Sequence, residues 1–214
     1  MILWRVLHFV VVGYTRVVYR VRVVGRDLVP PSGSYIIAPS HRSMLDIPLA
    51  GTITSRRIRF MGKAPLFRVP VLGAVFRALG GFPVERDGSD VGPVRESLRI
   101  LETGEPLVVY PEGTRQHGRE IAPLQPGAAY LAAKAGVPIV PVGIAGAEET
   151  FRSRRGWLPG FGRIVVVVGE PILPPVRESS VVKRSAVDEL TATLHERLQK
   201  LIDEAYSVRS GGGR

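Results

Sequence analysis

Short apolar runs rich in β-branched residues alternate with segments of helical apolar spacing along nearly the whole chain. The runs at 21–24, 34–38, 58–61, 81–84, 106–110, 138–144 and 163–168 read as strands, the last of them (RIVVVV) most plainly. Between them, 43–54, 71–79, 93–101 and 127–135 carry apolar residues at helical intervals. A final segment, 186–206, places Leu190, Leu194, Leu198 and Leu201 on one stripe, with Ser185 as its cap. Alternation of this kind folds as a single α/β sandwich, a mixed and mostly parallel sheet flanked by helices. The two prolines of 138–144 predict an irregular strand, or one at a sheet edge near Pro141, because a central strand rarely tolerates a residue with no N–H.

Residues 2–19, ILWRVLHFVVVGYTRVVY, precede the alternation. They are interrupted by Arg5, His8 and Arg16, short of a clean membrane span, and lack a small-residue cleavage site. Apolar bulk with Trp4, Tyr14 and scattered Arg predicts a helix lying in a membrane interface. A helix packed on the domain's own core and a single tilted span are the alternatives. The organisation expected is an interfacial helix at 1–19, one α/β domain at 20–206 and a disordered tail at 207–214.

Net charge narrows the partners. A surplus of ten positive charges favours an anionic lipid surface or phosphorylated substrates. Nucleic acid is not expected, since aromatics make up 7% of the chain and no basic-aromatic alternation or helix-turn-helix spacing occurs. With no cysteine, the chain has no disulfide, no thiolate metal site and no cysteine nucleophile. No metal and no resident cofactor are expected.

Four segments share one form, an apolar run that breaks into charged or glycine-rich residues. SHRSMLD (40–46) puts His41 where a strand stops, with Asp46 five residues on. GGFPVERDG (80–88) delivers Arg86. LVVYPEGTR (107–115) delivers Glu112, Gly113, Thr114 and Arg115 in one turn. VPIVPVGI (137–144) is the proline-containing strand. Singly, each has an ordinary reading: a helix capped by Ser40 or Ser43 with an exposed His41, a loop arginine paired with Glu85 or Asp87, or a strand-ending turn. A His oriented by an Asp at the carboxyl end of a strand is the other reading of the first.

In their order, HRSMLD, FPVER, PEGTR and VPIVPVG resemble the four motif blocks of the glycerolipid acyltransferases, the lysophosphatidic acid acyltransferase family. The first block of that family is His, four residues, Asp, and its third is Pro-Glu-Gly-Thr-Arg, present here unbroken. RFMGKAPLFRVPVLGAVFRALGGFPVER is similar to the family's link between its first two blocks, and the resemblance covers roughly residues 20–170. It implies a glycerolphosphate-acyltransferase-like α/β sandwich. It also implies transfer of an acyl group from a thioester, of coenzyme A or acyl carrier protein, to the free hydroxyl of 1-acylglycerol-3-phosphate, giving phosphatidic acid at the cytoplasmic face of a membrane.

An alcohol needs a general base at neutral pH, and His41 is the base implied, with Asp46 holding its tautomer and stabilising the imidazolium. Ser40 and Ser43 leave a serine nucleophile open. Arg86 and Arg115 fall at the family's phosphate-binding arginines, a role suited to the guanidinium fork. Lys63 falls near the acceptor or the thioester. Glu112 is expected to fix the turn or touch the acceptor, Thr114 to belong to the same acceptor turn, and Gly113 to permit close backbone approach. Two features depart from the family pattern. Leu124-Gln125-Pro126-Gly127 lacks the lysine of the family's Phe-Lys-x-Gly, and Ser40 and Arg42 flank the histidine. Acylation of another lysophospholipid, a glycolipid or an aminolipid, hydrolysis of the thioester, and a non-catalytic membrane-binding role are the competing readings.

Overall fold

The computed structural model describes residues 2–85, 91–151, 162–176 and 181–211. Its centre is a seven-stranded sheet: β1 (Arg22–Val24), β2 (Ile36–Pro39), β3 (Arg59–Lys63), β4 (Gly81–Val84), β5 (Leu107–Val108), β6 (Ile139–Ala145) and β7 (Val165–Val168). The spatial order is β1-β7-β6-β2-β5-β3-β4, with every pair parallel except β6–β7. The β-branched run of 163–168 becomes β7, buried along its whole length.

Helices cover both faces. On one lie α1 (Ile2–Val18), α2 (Asp46–Ala50), α3 (Ala64–Arg68) and α4 (Pro70–Leu79). On the other lie α5 (Val91–Glu102), α6 (Gly127–Ala135) and α7 (Arg184–Gly211). Successive strand residues therefore enter two different cores. Ile36 and Ala38 join Leu131, Leu194 and Leu198 on the α5–α7 side, while Tyr35 and Ile37 join Leu49, Ile53 and Tyr19 on the other. The leucine stripe of α7 is buried at all four expected positions. Gly143 lets that helix lie directly on β6, because a Cβ there would stand 2.4 Å from the Leu201 carbonyl carbon.

Three expectations are corrected. The strand holding Pro141 is central, between β2 and β7. Pro141 is tolerated because β7 ends beside it. Its carbonyl accepts from the Gly169 N–H at 2.9 Å, and pairing resumes only at the Ile139–Ile172 bridge, so the missing N–H falls at a gap in the ladder. The helix expected over 43–54 is confined to Asp46–Ala50. Finally, α7 runs through 207–211, where a disordered tail was expected. Its last turn is tied down by Arg209, which donates to the Arg163 carbonyl at 2.8 Å and to Glu149 Oε1 at 2.7 Å.

Pro39 shapes the middle of the sheet. β2 and β5 pair through Ile36–Leu107 and Ile37–Val108, and the Val109 N–H still reaches the Ile37 carbonyl at 2.9 Å. Pro39 has no N–H to continue that ladder, so the two strands part at their carboxyl ends. From β2 the chain turns toward β3, and from β5 it crosses to β6 on the opposite side of β2. This is a topological switch point, the place where open α/β sheets form a crevice.

Candidate active site

Both loops that leave this crevice carry charge. His41 follows β2, and its Nδ1 lies 2.8 Å from Asp46 Oδ2. Asp46 is fully buried at the first turn of α2. The same Oδ2 accepts the backbone N–H groups of Arg42 (2.7 Å) and Ser43 (2.8 Å). Three donors on one oxygen fix the carboxylate, and the fixed carboxylate fixes the ring. With Nδ1 engaged, Nε2 has no hydrogen-bond partner among the described residues, and the His41 side chain keeps 16% of its exposure. Burial pushes the Asp46 carboxyl above its ordinary value, against the lowering by His41, Ser43 and Arg42.

Neither serine caps α2. Leu45 holds the N-cap position and makes no side-chain cap bond. Ser40 is fully buried, and its hydroxyl accepts the Ile144 N–H of β6 at 3.1 Å. Ser43 Oγ accepts the Leu45 N–H within the turn.

The second loop begins at Tyr110. Glu112 is buried, and Oε1 accepts the His41 N–H at 2.9 Å. Its two oxygens take Arg42 Nη1 at 2.8 and 2.9 Å, and Oε2 takes the Ala122 N–H at 3.1 Å. Glu112 thus ties the histidine loop to its own turn. Gly113 adopts φ of 71°, the left-handed region, and a Cβ there would meet only Gln125 Cγ at 3.4 Å. Within the chain that glycine answers to conformation rather than to crowding. Thr114 and Arg115 are exposed. They sit beside the dyad, because the next residue, Gln116, donates its N–H to the His41 carbonyl at 2.9 Å. Lys63 ends β3, is exposed, and is in register with Val84 of β4. Arg86 lies outside the described residues. The structure therefore gathers His41, Asp46, Glu112, Gly113, Thr114 and Arg115 at one crevice, with Lys63 at the end of β3, the strand beyond β5.

Two residues of this site were given no role from sequence. Arg42 is buried and completes a network. Besides Glu112 it donates to the carbonyls of Gly118 (3.0 Å), Glu120 (3.0 Å) and His41 (3.1 Å). The only sequence trace was an arginine beside the histidine, which periodicity cannot distinguish from a solvated one. Tyr110 stacks on His41, with ring centroids 4.1 Å apart and planes 24° apart. Its hydroxyl is buried without a partner among the described residues. Burial, and next the charge of Asp46, push that phenol well above its usual value. Its signal was a tyrosine ending a buried strand immediately before the Pro-Glu-Gly turn.

The arrangement can remove a proton from a hydroxyl presented to Nε2 and hold the resulting imidazolium against a buried carboxylate. Among the described residues no cluster of His, Asp or Glu could hold a metal ion.

Residues 20–145 match the Acyltransferase family. The chain is 25% identical over 185 residues to a 1-acyl-sn-glycerol-3-phosphate acyltransferase of Bacillus subtilis, covering 85% of this chain and 87% of that protein. It is 29% identical over 204 residues to the corresponding alpha enzyme of Ovis aries, covering 91% of this chain and 67% of the relative. A chloroplastic relative of Brassica napus is 27% identical over 157 residues, 72% of this chain, which spans only 45% of that protein's length. The crystal structure of the 1-acyl-sn-glycerophosphate acyltransferase PlsC from Thermotoga maritima superposes with a TM-score of 0.72. It is 23% identical and covers 92% of this chain and 79% of that one, a likeness of fold.

Proposed function

The chain belongs to the Acyltransferase family, and from that premise we propose that it acylates the free hydroxyl of 1-acylglycerol-3-phosphate to give phosphatidic acid. The observation that carries the reading is the His41–Asp46 pair at the β2–β5 crevice, with Nδ1 committed to a buried carboxylate and Nε2 facing out. The names of the relatives supply the acceptor class. In the reaction, Nε2 takes the hydroxyl proton as the oxygen attacks the thioester carbonyl carbon. The tetrahedral intermediate then collapses with cleavage of the carbon–sulfur bond, and the imidazolium returns its proton to the departing thiolate. Acyl-coenzyme A or acyl carrier protein is the donor. Arg115, on the rim beside His41, and Arg86 meet the acceptor's phosphate, and Lys63 attends the acceptor or the thioester.

The second element of the proposal is peripheral attachment to the cytoplasmic face of an anionic membrane. Among the described residues no helix is long and apolar enough to cross a membrane. Helix α1 instead shows two sides. Thr15 and, just past its end, Tyr19 are buried against the domain, while Leu3, Val6, Phe9, Val10, Tyr14 and Val17 stay at least half exposed. Leu66, Val69, Val71 and Leu72 of the α3–α4 region are exposed as well. An apolar stripe of this kind inserts at the headgroup boundary.

Purified protein given labelled acyl donor and a panel of lysolipids tests the first element. Phosphatidic acid from 1-acylglycerol-3-phosphate is expected, and a His41→Ala protein of native circular dichroism should lose about 10²- to 10⁴-fold in turnover. Free fatty acid as the main product, or an undiminished His41→Ala protein, would overturn it. Vesicle flotation of a Val6→Glu/Phe9→Glu protein tests the second, with loss of flotation expected and unchanged flotation contradicting it.

A further inference from the structure

A groove of about 480 Å³ lies between α1, the 3-10 turn Arg26–Leu28 and the loop after α2. It belongs to the opposite end of the molecule from His41, because the loop residue Thr54 is held by the hydroxyl of Tyr35, which precedes β2, while His41 follows that strand. The helix crosses close here, since a Cβ on Gly51 would stand 3.9 Å from His8 Cε1. Three guanidinium groups from two elements reach the groove: Arg5 and Arg16 of α1, and Arg26 of the turn. Among the described residues Arg26 engages only through its Nε, on the Ile53 carbonyl at 3.3 Å, and Arg5 and Arg16 have no carboxylate partner. No acidic side chain lines the groove. His8 lies among these cations. Its imidazole is held below the usual range by burial and then by the charges of Arg26 and Arg16, in line with a site of concentrated positive charge. The Trp4 ring lies beside it, tilted by 30° with centroids 5.0 Å apart, and the exposed Phe9 borders the same space.

We infer that this groove binds the phosphodiester headgroup of an anionic membrane phospholipid, with the lipid's chains running along the exposed apolar side of α1. Unpaired arginines converging from two elements suit phosphate oxygens, which accept from several guanidinium donors at once. The apolar rim at Phe9, and the indole of Trp4 at the boundary, match a ligand that is charged at one end and aliphatic at the other. A free anion would have no use for that rim. The site would retain and orient the protein on the membrane without touching the reacting atoms. It rests on the membrane reading above.

Calorimetric titration of the full chain with dihexanoyl phosphatidylglycerol, kept below its micelle concentration, tests the inference. That lipid is neither acceptor nor product of the proposed reaction, and dihexanoyl phosphatidylcholine and inorganic phosphate serve as comparison ligands. Saturable binding of the phosphatidylglycerol is expected, weakened on the order of tenfold or more in Arg16→Gln/Arg26→Gln, since charge-assisted contacts are lost. Arg95→Gln, which removes a positive charge from exposed α5 across the sheet, should leave it unchanged. Absence of binding, equally tight binding of phosphate or phosphatidylcholine, or equal weakening by Arg95→Gln would each overturn the headgroup site. Flotation keeps the two readings apart. A protein that binds the soluble lipid at these arginines yet fails to float sinks the membrane reading, and one that floats without binding it sinks this one.

Discussion

Replacing Asp46 with Asn should separate charge from orientation in a way that many histidine–carboxylate pairs do not allow. In the structure one oxygen, Oδ2, accepts from His41 Nδ1 and from two backbone N–H groups at 2.7 and 2.8 Å, while Oδ1 is buried without a partner. Two immovable backbone donors oblige an asparagine to place its carbonyl oxygen where Oδ2 was, since its NH₂ would repel them. The oxygen then still accepts from Nδ1–H, and Nε2 stays the basic nitrogen. What is lost is the negative charge opposite the imidazolium. Unit charges about 4 Å apart interact by about 4 kcal/mol at an effective dielectric constant near 20. That bounds the loss in turnover at roughly 10³-fold, and a neutral hydrogen bond that survives should hold it nearer 10²-fold. Asp46→Ala should lose more. It frees the ring and leaves the Arg42 and Ser43 N–H groups unsatisfied, at about 1–3 kcal/mol of stability each.

Stability should move the other way in the asparagine variant. Folding raises the Asp46 carboxyl above 3.8, so the ionised form is the one that burial penalises. Wild-type stability contributed by this group is complete below that value and is lost as pH rises through the folded pKa. The variant should therefore match or exceed wild type at neutral pH, and its advantage should disappear in acid. Single-turnover acylation and urea unfolding at several pH values measure both quantities. Near-normal turnover in Asp46→Asn would remove the charge from the mechanism. Turnover as low as in His41→Ala would show that the backbone donors do not hold the ring, and a marked loss of stability at pH 7 would refute the burial argument.

Three further outcomes follow from the same geometry. Arg42→Met should cost about 3–5 kcal/mol in chemical denaturation, because it strands the buried carboxylate of Glu112; a loss under 1 kcal/mol would mean that the pair is not buried in solution. Arg115→Ala should lower kcat/KM for the phosphorylated acceptor roughly tenfold and leave a monoacylglycerol almost unaffected, with Arg115→Lys recovering only part; equal losses on both acceptors would assign the arginine to the donor or the fold. Tyr110→Phe keeps the ring stacked on His41 and should leave turnover near wild type, whereas Tyr110→Leu should cost about 0.5–1.5 kcal/mol in activation free energy; equal rates in the two would show that the stack does not position the base.

The layered architecture was legible because burial writes itself into residue type. The valines of β7 and the four leucines of α7 could be read directly, since each repeats at the period of its element. The pairing of Asp46 with His41 was legible through the resemblance of the four ordered blocks, since the five-residue spacing alone suits a capped helix with an exposed His41 equally well. Arg42 and Tyr110 were not, because their roles depend on partners some 70 positions away, and no local period records such a meeting. Pro141 misled because the rule against proline in central strands assumes an unbroken neighbour, and here the neighbour ends at Val168. The length of α7 was hidden in the same way. Nothing in 207–211 promises a helix, and its last turn is held by Glu149 and the Arg163 carbonyl.

The parting of β2 and β5 at Pro39 also sets when the site can exist. One loop supplies the base and its aspartate, and the other supplies the acid that holds the first loop's backbone, through contacts about 70 residues apart in sequence. During synthesis the histidine loop leaves the ribosome long before Glu112, and the Ile144 N–H that engages Ser40 emerges later still. Contacts of such separation form late, because closing the intervening chain costs entropy before they can repay it. Amide exchange at His41 and Arg42 should accordingly require opening of the middle of the sheet rather than local fraying, so protection there would report completion of the whole fold.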